Sequence, residues 1–351
     1  MTYALGWKTE SSIFMIADTG VTSQQSVMKN MPMDGLPSSL GEFNEYIKNK
    51  ITEEIMFKVN NIGKDIIYSF AGDVAAGHKF SLLIKQALEY KETRAAIQVA
   101  VNSSTPLNSA HSFSAMIGFM DDDLPCLLGF NINNDNRLTE EHEIIHLGSG
   151  TGLFQPATSS LVNTMKEMDY KRDDALVYTA AFLQHFSIHN QLAKVSVGGV
   201  FFGGLLNKDG FKWMHDTTYI LYADNGSQIN NKINKVTVIF RDDFLIINSS
   251  LNNMCKFISV KKDSNDTKKL TALSKKYLNH YKSDYFIFLS KKWPIVTLAE
   301  VNNKFNNEYF SVNEKEILIK GELNSMLVNF LEKDTGCQFQ WITALQGLSN
   351  T

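Results

Sequence analysis

Large and small side chains alternate over residues 3–8, with Tyr3, Leu5 and Trp7 set against Ala4, Gly6 and Lys8. That period of two predicts a half-buried strand. Ser12 to Ala17 is a continuous apolar run ending at Asp18, and Thr9-Glu10-Ser11 between them has the length of a hairpin loop. A hairpin folded about Glu10 would set Thr2 opposite Asp18, a register that a slip of one residue would overturn. Residues 24–56 are polar, contain Pro32 and Pro37, and read as an inserted surface excursion with a helix start at Ser39-Leu40-Gly41-Glu42. Strand character returns at Phe57-Lys58-Val59 and from Asp65 to Phe70, followed by Ala71-Gly72-Asp73. Phe80, Leu83, Ile84, Ala87 and Leu88 then recur at helical spacing.

Strands are predicted at 112–119 and 124–130, with Asp121-Asp122-Asp123 at their turn, and at 143–147, running into Gly148-Ser149-Gly150. Helices follow at 157–168 and 173–188, then strands at 195–206 and 211–214. Runs of strands alternating with runs of helices predict two stacked sheets between helix layers rather than alternating βαβ units. Past Tyr222 the chain turns to Asn/Lys-rich punctuation, which marks a boundary. The remainder, 223–351, reads as an α+β module with strands at 236–247, 256–260, 285–289 and 316–320 and helices at 268–281 and 322–332.

Composition narrows the function classes. The chain has 351 residues, 34 basic against 37 acidic, for a formal net charge of −3. A nucleic-acid binder needs a concentrated basic surface, which this balance argues against. At 44% hydrophobic and 20% charged, the chain can bury a full core. Cys126, Cys255 and Cys337 are odd in number and far apart, supporting neither a disulfide framework nor a four-thiolate zinc site. A reducing, cytoplasmic setting is expected, since no signal-like apolar stretch opens the chain. The most apolar run, Val195 to Leu206, is too short for a membrane span, which needs roughly 20 residues.

Candidate chemistry begins at the second residue. Removal of Met1 leaves Thr2 carrying both a hydroxyl and a free α-amine, whose ordinary pKa of about 7.7–8.0 suits it as a general base near neutrality. The stretch from Thr2 to Asp18, the Lys58 to Gly72 segment with Phe70-Ala71-Gly72-Asp73-Val74-Ala75-Ala76, the Gly148-Ser149-Gly150 turn and the Gly198-Gly199 strand together resemble the proteasome β-subunit and HslV peptidase family. The resemblance spans Thr2 to about Tyr222. It implies an α+β class: a four-layer αββα N-terminal-nucleophile hydrolase sandwich at 1–222, with the 24–56 insertion and the appended C-terminal α+β module outside the family pattern.

It also implies roles. Thr2 would be the nucleophile, Lys58 held by Asp18 would supply positive charge, the Gly72 N–H would face the oxyanion, and Ser149 would orient the Thr2 amine. Phe70 and Val74 would line the substrate pocket. No cofactor or metal is called for. The expected partners are a peptide or protein substrate, further copies of the chain in a ring or related homo-oligomer, and an ATPase or regulatory partner, with no nucleic acid and no membrane. Many family members carry Asp and Ser shortly before the late Gly-Gly strand, where this chain has Lys194 and Val197. Neither can replace those hydrogen bonds, which leaves open a catalytically inactive assembly or sensing protein. A third reading is a zinc peptidase, because His142-Glu143-Ile144-Ile145-His146 fits H-E-x-x-H. The glycines at 148, 150 and 152 interrupt the long helix such a site needs, and the same residues fit a strand with His142, Ile144 and His146 on one face.

Overall fold

The computed structural model describes residues 2–24, 38–40, 50–54, 56–104, 113–132, 137–139, 142–167, 174–190, 192, 197–222, 234–251, 254–260, 267–277, 283–290, 296–300, 310–312 and 317–319. Two compact units divide the chain. The first is Met1–Met214 with Asp242–Leu245 and Ile258–Ser264, and the second is His215–Arg241, Ile246–Phe257 and Asn265–Thr351.

Two five-stranded antiparallel sheets build the first unit. One contains β1 (Ala4–Lys8), β2 (Ser12–Asp18), β10 (Ile144–Leu147), β11 (Phe201–Asn207) and β12 (Gly210–Trp213), in the order β10-β1-β2-β11-β12. The other runs in sequence through β5 (Val59–Ile62), β6 (Ile66–Gly72), β7 (Phe113–Asp121), β8 (Leu124–Phe130) and β9 (Leu138–Thr139). A short pair, β3 (Gly20–Gln24) and β4 (Lys50–Glu54), stands apart from both.

Ala4, Ile13, Met15 and Ala17 of the first sheet share a buried cluster with Ile67, Ala71, Met116 and Leu127 of the second. The opposite face of the second sheet is covered by α1 (Val74–Ala87) and α2 (Thr93–Ser104), whose Phe80, Ile84 and Ile97 pack with Ile66, Tyr68 and Phe113. On the first sheet's side, Phe154 of α3 (Thr151–Glu167) stacks on Tyr3 at 4.2 Å and meets Phe186 of α4 (Asp174–His189) at 5.0 Å and Phe201 at 5.9 Å. Burial on both faces explains why β2 and β11 read as unbroken apolar runs instead of alternating ones.

The β1–β2 register departs from the one expected. Ala4 pairs with Ala17 and Lys8 with Ile13, so Asp18 lies opposite Tyr3 and not Thr2. The loop closes between Thr9 N–H and the Ser12 carbonyl at 2.9 Å, making an even-membered turn in place of the odd one centred on Glu10. The displaced register puts Trp7 against Phe14, stacked at 4.9 Å, the kind of aromatic cross-strand pair that locks a hairpin.

In the second unit the sheet order is β16-β15-β14-β13-β17-β18, from β13 (Thr217–Tyr222), β14 (Asn234–Arg241), β15 (Phe244–Ser249), β16 (Met254–Ser259), β17 (Tyr285–Ser290) and β18 (Val296–Glu300). β13 pairs antiparallel with β14 and parallel with β17. The remaining described elements are α5 (Thr267–Tyr277), β19 (Phe310–Val312) and β20 (Ile317–Ile319).

The expected class, an α+β four-layer αββα sandwich with an appended α+β module, is corrected by this architecture. Among the described residues twenty strands accompany only five helices, and antiparallel sheets dominate. The expectation undercounts strands: β3, β4, β9, β13, β18 and β19 fall in stretches to which the pattern assigns none. The stretch 268–281 yields one short helix ending at Tyr277, the helix start at Ser39-Leu40 is a turn, and 322–332 lies outside the described residues, as does most of the 24–56 excursion. Helix α2 is missed by the hydrophobic pattern because its buried face, Ala96, Ile97, Ala100, Val101 and Ser104, is made mostly of small residues.

Gly203 on β11 marks where two strands of the first sheet come closest. A Cβ there would lie 2.0 Å from the Met15 carbonyl oxygen and 2.8 Å from the Ile16 Cα, both backbone atoms. Overpacking against backbone costs about 1–3 kcal/mol. Gly203→Ala should therefore lower the unfolding free energy by that amount and shift the urea midpoint downward, and an unchanged midpoint would contradict the close approach.

Candidate functional site

Asp18 ends β2 with its carboxylate wholly buried. Its Oδ1 accepts from the Tyr3 backbone N–H at 2.9 Å and from Lys58 Nζ at 2.8 Å, and its Oδ2 from the Gly198 N–H at 3.4 Å. The Tyr3 carbonyl returns a bond from the Asp18 N–H at 3.2 Å. Lys58, just before β5, is 4% exposed and also donates to the Gly20 carbonyl. Burial pushes its ammonium below the ordinary lysine value, and the charge and hydrogen bond of Asp18 oppose that shift. An ammonium has three donors, and two are engaged by these partners.

Thr2 is 8% exposed, and its carbonyl accepts from the Gly150 N–H at 3.3 Å. Gly148, at φ +92°, lies so close that a Cβ would stand 2.0 Å from that same carbonyl oxygen. Glycine is thus required at 148, for its left-handed backbone and its contact with Thr2, while Gly150 packs tightly against Tyr3 and Val197. Ser149 between them is exposed, and its side chain makes no hydrogen bond among the described residues. Gly72, with φ +105°, ends β6 beside Asp73, the N-cap of α1, whose carboxylate accepts from Ala76 N–H at 2.7 Å.

The structure therefore gathers Thr2, Asp18, Lys58 and the Gly148–Gly150 turn through a continuous set of contacts. Phe70 is buried beneath α1, its ring against Gly77 and 5.5 Å from His78, and Val74 is half-buried at the start of that helix, packed on the same core. Val197 is buried beside Gly150, while Lys194 lies outside the described residues. A cavity of about 1040 Å³ opens at the other end of β1 and β2, lined by Trp7, Lys8, Arg94, Asp121 and Glu143 among others.

The H-E-x-x-H residues form no helix. Ile144–Leu147 is strand β10, paired with β1, and His142 precedes it with Nε2 2.9 Å from Thr139 Oγ1. Both ring nitrogens of His146 are occupied, Nδ1 by Tyr3 Oη at 3.0 Å and Nε2 by Ser159 Oγ at 3.2 Å. No group of three or more His, Cys, Asp or Glu among the described residues could hold a metal ion.

Sequence reasoning does not place Tyr3 or Gly198 against Asp18, and it misses Thr158 altogether. The first two meet Asp18 through backbone N–H groups, which leave no mark on residue type. Thr158 is reached only through the tertiary packing of α3. No protein-family model matches the chain, and no curated protein matches it. No helix among the described residues is long and apolar enough to cross a membrane.

Removing one partner of a buried ion pair leaves the other charged without compensation, at a cost of about 3–5 kcal/mol. Asp18→Ala should destabilise the chain by that much in urea unfolding, and Asp18→Ala with Lys58→Met should recover a large part of the loss. Desolvation holds the His146 imidazole down at about 4, against an ordinary 6.5. Between these values the unfolded chain binds the extra proton, so stability falls as pH drops from 6.5 toward 4. The melting temperature of His146→Gln should show a flatter pH profile over that window than the wild type, and identical slopes would refute the assignment.

Proposed function

We propose that the chain is a threonine-type amide hydrolase, of the kind represented by proteasome β-subunit and HslV peptidases, acting on peptide bonds with Thr2 as nucleophile after loss of Met1. The observation that carries this reading is the buried Asp18 carboxylate, shared between the Lys58 ammonium and the Tyr3 N–H, one residue from the Thr2 hydroxyl. A buried cation close to a hydroxyl lowers the cost of forming the alkoxide, and the α-amine takes the proton.

Thr2 Oγ bonds to the carbonyl carbon, the amide C–N bond breaks, and the amine product leaves with the proton. Water, deprotonated by the same α-amine, then cleaves the ester and returns the Thr2 hydroxyl. The Gly72 N–H is assigned to the oxyanion, where one donor is typically worth about 2.7–4 kcal/mol. The reading includes a reducing, cytoplasmic setting, with which Cys126 and Cys255 agree in that neither is in a disulfide.

A second reading, a non-catalytic assembly or sensing protein, draws on Ser149 being exposed without a hydrogen-bond partner among the described residues and on the apolar Val197 beside Gly150. Intact-mass measurement followed by reaction with a peptidyl epoxyketone separates the two. Loss of Met1, a single adduct on Thr2, and loss of both adduct and peptide cleavage in Thr2→Ala are expected of the hydrolase. Retained Met1 or full activity in Thr2→Ala would sink it, and correctly processed but unreactive Thr2 would select the non-catalytic protein.

A further inference from the structure

Tyr3 does more than follow the nucleophile. Its main chain is tied to Asp18, while its ring lies flat on Phe154, 4.2 Å between centroids, with the hydroxyl buried between β10 and α3. Oη is 3.0 Å from His146 Nδ1 and 3.0 Å from Thr158 Oγ1. These two partners stand on the two arms of the Gly148-Ser149-Gly150 turn, His146 on the strand entering it and Thr158 on the helix leaving it. The same turn binds the Thr2 carbonyl through the Gly150 N–H.

The proton on every link of this chain follows from what each atom can do. Thr158 Oγ1 is 2.8 Å from the Phe154 carbonyl oxygen, which only accepts, so the threonine proton points there. Thr158 can then only accept from Tyr3, which uses the single phenolic proton. Tyr3 Oη is left as the acceptor toward His146, so Nδ1 carries the imidazole proton, and bare Nε2 accepts from Ser159 Oγ. Burial raises the Tyr3 phenol far above its ordinary value and keeps the imidazole neutral near pH 7, so no charge state competes with this arrangement. The hydroxyl and imidazole groups face one another from the residue before β1, from β10 and from α3, and the bonds that link Tyr3, His146, Thr158, Ser159 and the Phe154 carbonyl all join neutral groups.

We infer that His146, Tyr3 and Thr158 form a directional hydrogen-bond chain that positions Thr2 against the Ser149 turn, with His146 fixed as the Nδ1–H tautomer. The three are positioning residues, and the inference rests on the hydrolase reading for its kinetic consequence alone. Misplacing a reacting group by about 1 Å can cost about a hundredfold in rate. Tyr3→Phe keeps the ring stack and loses the tether, and should slow Thr2 acylation by a peptidyl epoxyketone roughly ten- to hundredfold with little change in the apparent affinity.

Thr158→Val gives a sharper readout. With its acceptor gone, the Tyr3 proton turns to His146 Nδ1, which forces the imidazole into the Nε2–H form. Nitrogen-15 NMR of the histidine-labelled full chain should show Nδ1–H for His146 in the wild type and Nε2–H in Thr158→Val. A wild-type Nε2–H tautomer, or a tautomer indifferent to Thr158→Val in folded protein, overturns the chain. An acylation rate unchanged in Tyr3→Phe, where Thr2→Ala abolishes labelling, overturns its positioning role. Labelling that survives Thr2→Ala instead overturns the hydrolase reading, and the His146 tautomer still decides the hydrogen-bond chain by itself.

Discussion

A carboxylate with no exposed surface is tolerable only when its charge is matched and its lone pairs are filled. Asp18 meets that condition with one ammonium and two backbone N–H groups drawn from three distant parts of the sequence. The need to satisfy it fixes the end of β2, the start of β1, the approach to β5 and the 198–200 stretch relative to one another. Its cost is offset by contacts that span both sheets of the first unit, so the charge network and the inter-sheet core stabilise one another.

Around that carboxylate the polar groups fall into two sets of different character. On the inter-sheet side lies a charged pair under strong desolvation, suited to biasing proton equilibria. On the α3 side lies a neutral run of hydroxyl, phenol and imidazole, suited to holding geometry. Residues 2 and 3 sit where the two meet, one backbone step apart. The Gly148–Gly150 turn joins them because only glycine tolerates both the positive φ and the contact with the Thr2 carbonyl.

Legibility in the sequence followed physical locality. Strands with unbroken apolar runs such as Ser12–Asp18 and helices with strong periodicity such as Val74–Ala87 are legible from pattern alone, whereas the pairing of Asp18 with Lys58 is implied only by the family resemblance. The β1–β2 register did not, because parity of a loop is set by a single backbone bond between Thr9 and Ser12. The share of strand is understated in the sequence, since short strands such as Gly20–Gln24, Leu138–Thr139 and Phe310–Val312 are too brief to show a period of two. Of the pair of histidines at 142 and 146, residue type alone suggested metal binding. The pairing of β10 with β1 instead gives His146 to a tyrosine and a serine.

The parallel pairing of β13 with β17 has a consequence for how the chain acquires its structure. Thr217–Tyr222 finds β14 through a nearby antiparallel return, but its other edge waits for Tyr285–Ser290, made only after β15, β16 and α5. Non-local parallel pairing is slow because the loop-closure entropy is spent before any contact repays it. During synthesis, the central strand of the second unit, with Tyr219, Ile220 and Leu221 destined for full burial, therefore presents an open hydrogen-bonding edge. Such an edge is a template for pairing between chains, so the interval before β17 arrives is when this protein is most exposed to aggregation.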